Sequence, residues 1–340
     1  MNKQFTFLLS LTFLFLFSGS VYGEEEVKKE YWDNGKLKSE THFKNGKKEG
    51  LETGSYESGK KKYEIRYKNG KMEGLVTWWY ETGEKWIDFH YKNGKEEGLR
   101  TFWFESGEKN SELPYENGKL EGLYTSWYKS GEKKSVFPHK NGLPEGLYTN
   151  WYKSGKKWFE NHYKNGKRDG IYKEWYESGG KKRETSYLNG KKNGVVKEWY
   201  ISGKKMEETH YKNGKKEGLE TYWLESGIKL YDSPYKNGKK DGVYIDYDYR
   251  SGKRSLERPH KNGRREGLET YWYESGGKRY EDHFKNGRRE GRKTGWYKSG
   301  RKKYLRHYKN GIENGMRKNW DEDGTLTYEG NYVDGVEEIK

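Results

Sequence analysis

Histidines, carboxylates and lysines supply whatever chemistry this chain could do, and each type recurs in register with itself. His42, His90, His162, His210, His283 and His307 share one phase, and His139 and His260 occupy the next. Imidazoles so placed could ligate a metal or carry a proton. Pro114, Pro138, Pro234 and Pro259 fill the same phase as the first six, however, and a position that exchanges His for Pro selects shape rather than a ligand. The chain has no cysteine, so no thiolate completes a zinc site and no disulfide framework exists.

The acids form two columns. One runs from Glu40, Glu64 and Asp88 to Glu329, and the other, beginning with Glu49, Glu73 and Glu97, lies beside a glycine turn. Glycoside hydrolysis uses paired acids, but it needs one special pair with separated pKa values, and a ladder repeated ten times offers none. Pairing of the first column with Lys61, Lys85, Lys109 and their successors across neighbouring strands is the expected use. No GxxxxGK[ST], GxSxG or HExxH pattern occurs, and neither an enzyme activity nor a cofactor is expected.

Lysine is the strongest lead. Lys44, Lys68, Lys92, Lys164, Lys212, Lys236, Lys261 and Lys285 each precede an Asn-Gly pair, and the formal net charge is +16. A basic rim of this kind suits an anionic partner, with each nearby Lys or Arg adding about 1 kcal/mol at an anionic surface. Rings interleaved with cations could also hold nucleic acid. The N-terminus argues against that partner: Lys3, an apolar run from Phe5 to Phe17 and the Val21-Tyr22-Gly23 triplet read as a signal peptide, residues 1–23. The mature chain, residues 24–340, is therefore expected in a periplasm, at a cell surface or secreted. Anionic envelope polymers, lipid headgroups or a protein partner suit those places better than nucleic acid does.

What positions these residues is a repeat of 24 residues, about 13 times over, with a glycine in three fixed columns that take 38 of the 45 glycines. In residues 94–118, Leu99, Thr101 and Trp103 alternate with Arg100, Phe102 and Phe104, the period of a strand. Asn117-Gly118 is a hairpin turn pair. No segment has helical spacing, so the mature chain reads as an all-β, elongated antiparallel meander of hairpins, about 25 strands long. The proline phase, which lacks a ladder donor, implies a break or bend in every repeat. Residues 242–252 carry one extra residue, with Asp248 where Trp is expected, and this reads as a β-bulge. One face of the first strand is apolar, carrying Leu or its equivalents and Trp79, Trp103, Trp127, Trp151, Trp175, Trp199, Trp223, Trp272 and Trp296. That face is the candidate partner-binding surface, and a homodimer could form through it. The opposite side, mixing Glu, Arg, Tyr, Asn and Trp, reads as solvated.

The phrase YKNGKKEGLETYWLESGIK (211–229) resembles the MORN repeat variant, and proteins made only of such repeats are commonly labelled YwqK-type antitoxin proteins. The resemblance covers essentially all of the mature chain. It implies a MORN-like antiparallel β-array with atypical capping units near both ends, and a role in binding lipid headgroups or proteins. Three functions follow as expectations: an exported, non-catalytic binding scaffold; an antitoxin or immunity-type protein that sequesters a cognate toxin; and a cell-wall polysaccharide binder.

Overall fold

The structure, a computed structural model, describes residues 23–338; the expected signal peptide lies outside them except for Gly23. The chain divides into two compact units, Met1–Glu97 and Gly98–Lys340. Each is all-β among the described residues, with neighbouring strands antiparallel.

One repeat of the second unit shows how sequence becomes sheet. Strand Gly98–Trp103 pairs with Lys109–Glu116, setting Leu99 opposite Pro114 and Thr101 opposite Glu112. Glycine at the αL position closes the turn between them: in the equivalent turn of the first unit, Gly59 N–H donates to Tyr56 O at 2.8 Å. Past that turn the register slips by one residue, because Phe102 faces Ser111 while Trp103 faces Lys109. This bulge recurs in every repeat. It brings Lys109 onto the same face as Glu112, and the two join at 2.5 Å. The acids of the first column thus pair mainly with a lysine three residues back on their own strand, not across strands.

The Asn-Gly pairs form turns with both residues at positive φ, Asn69 at 52° and Gly70 at 78°, as a two-residue hairpin of type I′ requires. The third glycine column marks the break expected from proline. After Lys119–Leu120 the chain turns at Gly122 (φ 106°), and a single bond from Glu121 N–H to Pro114 O bridges the gap before Gly122–Trp127 begins. Most first strands are thereby cut into a short and a longer piece, giving 36 strands among the described residues rather than about 25. Where Ser186, His210 or His283 stands at the proline phase the pieces fuse, as in Lys215–Trp223, yet the register still slips between Thr209 and Tyr211. At residues 242–252 the bulge reading is corrected. Tyr247 takes the tryptophan place opposite Arg254, and the extra residue is absorbed in a longer turn in which Gly252 N–H donates to Asp248 O.

The assignment of faces also needs correction. Residues of the Leu, Thr and Trp columns share one face, but the leucines stand out of it, Leu123 being 56% exposed, while Thr77, Thr101 and Thr221 are buried between them. Buried aliphatic and aromatic side chains lie on the opposite face, the one read as solvated: Ile65, Val76 (1% exposed) and Ile87 in the first unit, and Val196, Leu256 and Phe284 in the second. Large rings lean on one another there. Tyr63 and Trp78 have centroids 4.7 Å apart, Phe137 and Tyr148 4.1 Å, and Tyr271 and Tyr280 4.2 Å.

Candidate binding surfaces

The eight candidate lysines are all exposed at the Asn-Gly turns. Each faces a second cation directly across its hairpin: Lys44 faces Lys47, Lys68 faces Lys71, Lys92 faces Lys95, and Lys164 faces Lys167. Lys212 faces Lys215, Lys236 faces Lys239, Lys261 faces Arg264, and Lys285 faces Arg288. Like charges directly opposite on paired strands are destabilising. Among the described residues, only Lys44 of these eight makes an ion pair, with Glu25 at 3.0 Å.

Neutralisation fails because the second acid column has other work. Asn69, Asn93, Asn165 and Asn237 each donate a backbone N–H, at 2.6 Å, to the carboxylate of Glu49, Glu73, Glu145 or Glu217 in the preceding repeat. These acids cap the next turn rather than screen the lysines. At the other end of the strands, the hydroxyls of Tyr128, Tyr152, Tyr176, Tyr200, Tyr273 and Tyr297 donate to the backbone carbonyl of the next repeat's Trp at 2.8 to 2.9 Å. Repeats that carry both the Tyr and the acid are therefore stitched to the next at both ends; Phe104, Leu224 and Asp248 stand at the Tyr phase without a hydroxyl to give. In one place the turns enclose an open groove of about 420 Å³ lined by Lys239, Lys261, Arg264, Asn262, Glu266 and Asn286.

The tryptophan column is half-buried on its face and partly covered. Lys61 lies 5.0 Å from the Trp79 ring centre, Lys181 5.6 Å from Trp199 and Lys205 5.1 Å from Trp223. Histidines bond to nearby groups of the sheet: Nδ1 of His210, His283 and His307 donates to the carbonyls of Leu219, Arg292 and Met316, and His42 reaches Glu40. One shallow cavity brings Glu160, His162 and Asp169 together, but Glu160 is held by Lys157 and Asp169 accepts the N–H of Asn189. No group of three or more His, Cys, Asp or Glu among the described residues could hold a metal.

Sequence reasoning missed the face opposite the tryptophans. Its columns differ from repeat to repeat, whereas Leu, Thr, Trp and the stitching Tyr and Glu recur. One such column holds Ile65 and Phe89 in the first unit; in the second it passes from Leu113 and Phe137 through Asn161, Thr185, Thr209 and Ser233 to Arg258, Asp282 and Arg306. Letters that recur satisfy the array, and letters that vary are free to serve something else. The signal was present in the repeats and needed only alignment by phase. Burial on this face pushes the Tyr231 hydroxyl up to about 12 and lowers the pKa of Lys240 and Lys293.

Stacked β-hairpins, stitched at both ends and carrying their polar groups in columns, define a repeat-array protein. Nine stretches, residues 27–45, 48–69, 72–93, 96–117, 144–165, 168–189, 192–213, 265–286 and 313–334, match the MORN repeat variant, and the chain belongs to that family. No curated protein matches it. Among solved structures, the chain is similar to the crystal structures of TcdB2-TccC3-TEV and TcdB2-TccC3, at 12% and 9% identity. Those alignments cover 90% and 91% of this chain but 18% of each of those chains, with TM-scores of 0.15 and 0.11, too low to support any argument.

Proposed function

We propose that the chain is an exported, non-catalytic scaffold that holds an anionic partner, an envelope polymer or lipid headgroups, along its lysine turns. The observation that carries this reading is the set of eight opposed cation pairs, seven of them without an ion pair at the turn lysine among the described residues, while the adjacent acids cap backbone N–H groups. Such pairs weaken the hairpins they occupy, and an anionic surface would relieve them. Charges presented in this way act collectively over a polyanion and are weakened by salt.

Vesicles containing phosphatidylglycerol provide the test. Residues 24–340 should co-sediment with them at low ionic strength and be released at high, and should ignore vesicles of phosphatidylcholine alone. No binding at low salt to these vesicles or to an envelope extract would refute the reading. Salt-insensitive capture of a single protein would instead favour the sequestering role.

A further inference from the structure

We propose that Lys293, Arg306 and Arg317, on the variable face of the second unit, form a site for one phosphate-type oxyanion, separate from the lysine turns. Lys293 and Arg306 are direct register partners on Arg288–Trp296 and Lys302–Lys309, so two cations stand side by side. Arg317 lies on the next strand, Gly315–Trp320, and its own partner across the following pair is Gly330, over which the Tyr328 hydroxyl and the Glu337 carboxylate lie. With strands about 4.8 Å apart, three cationic heads on consecutive strands fall within reach of one tetrahedral anion. Guanidinium forks match oxyanion geometry.

Acids on this face are engaged through one oxygen each at Asp282 and Glu313, whose Oδ1 and Oε1 are themselves buried without a donor. Glu269 takes Arg258 at 2.5 Å and Arg265 at 3.6 Å, and Asp282, 2% exposed, takes Arg289 at 2.8 Å and Lys293 at 3.5 Å. Glu313 stands 4.0 Å from Arg317, and Glu337 accepts the Tyr328 hydroxyl. Among the described residues no carboxylate forms an ion pair with Arg306. Its Nε is buried without an acceptor, and so is the Nε of Arg317. Tyr304 lies under the Arg306 guanidinium at 5.2 Å, and Tyr328 and Tyr332 under that of Arg317 at 5.4 Å. Arg317 Nη1 donates to the Tyr332 hydroxyl at 3.2 Å, so the donors left without an acceptor are the two Nε–H groups. Buried donors without acceptors, set beside a like charge, are uncommon in folded proteins, and an oxyanion would satisfy them together. Burial lowers the pKa of Lys293, and a bound anion would hold its proton in place.

The decisive experiment labels the arginine Nε of the mature chain with nitrogen-15 and titrates in inorganic phosphate, then glycerol phosphate, at constant ionic strength. Saturating one-to-one shifts of the Arg306 and Arg317 signals are expected, with Arg264 and Arg288 at the turns unmoved. Response to both ions identifies a phosphate monoester as an acceptable ligand, and response to inorganic phosphate alone identifies the free ion. Arg306→Gln should weaken the affinity about tenfold. Unmoved Arg306 and Arg317 signals, or equal movement at the turns, would overturn the proposal. Reversing Lys212, Lys236 and Lys261 to Glu should leave this titration unchanged, so the site and the lysine turns succeed or fail separately.

Discussion

Position 193 is a natural experiment in the stitching between repeats. Most repeats place Glu or Asp there, but Asn193 accepts the Asn213 N–H through a neutral oxygen at 3.1 Å, against 2.6 Å for Glu217 and Asn237. A hydrogen bond to a charged group contributes about 1.5–3 kcal/mol, and a neutral one about 0.5–1.5. Both turns are exposed, so the lower ends apply, and Asn193→Glu should stabilise the chain by about 1 kcal/mol. Glu217→Gln should cost about the same. In thermal unfolding each change corresponds to about 2–4 °C, in opposite directions. Amide exchange would locate the effect, with Asn213 gaining protection in the first variant and Asn237 losing it in the second. If these acids served to screen lysines instead, both effects would vanish at high salt while the two amides stayed unchanged. That result would refute the stitching argument.

Two further predictions concern the faces and the acids. Val196→Ala, on the buried side, should cost about 1.5–2.5 kcal/mol in urea unfolding, while Leu123→Ala should cost less than about 0.5; reversed magnitudes would restore the solvated reading of the variable face. In acid, Lys205 holds the Glu208 carboxyl below its ordinary range, and hydrogen bonds from Thr221, Tyr247 and Lys229 do so for Asp232 although its burial acts the other way. Stability from these groups is fully present above the unfolded carboxylate values of about 4 and is lost as pH falls below them. Thermal scans should therefore drop most steeply below about pH 4, after a shallower loss starting near 6.5 as His260, kept neutral by burial, must charge. Lys205→Met should flatten the acid limb, and an unchanged slope would contradict the assignment.

Much of the architecture was legible in the sequence because it is written in backbone chemistry. Asn-Gly pairs specify positive φ at both turn residues, so Asn69-Gly70 and its counterparts could be placed without coordinates. Proline marked the break, since Pro114 has no donor to give. The faces were not legible in the same way. Alternation separates Leu99 from Arg100 but does not say which side becomes covered, and coverage here comes from neighbouring rings such as Phe137 and Tyr148 closing over one another. Nor could letters alone show that Glu217 caps a backbone N–H 20 residues on, because its neighbours Lys215 and Lys216 suggest ion pairing instead. The bulge that turns Lys109 toward Glu112 was equally hidden, since a one-residue slip leaves the repeat length unchanged.

The most direct test of the central claim is to measure stability and vesicle binding together in the chain carrying Lys212→Glu, Lys236→Glu and Lys261→Glu. Each reversal replaces a repulsive pair with an attractive one, against Lys215, Lys239 and Arg264, so the account predicts a protein about 1 kcal/mol more stable. The same protein should no longer sediment with phosphatidylglycerol vesicles. A variant that binds as well as the original, or one that loses both binding and stability, would contradict it.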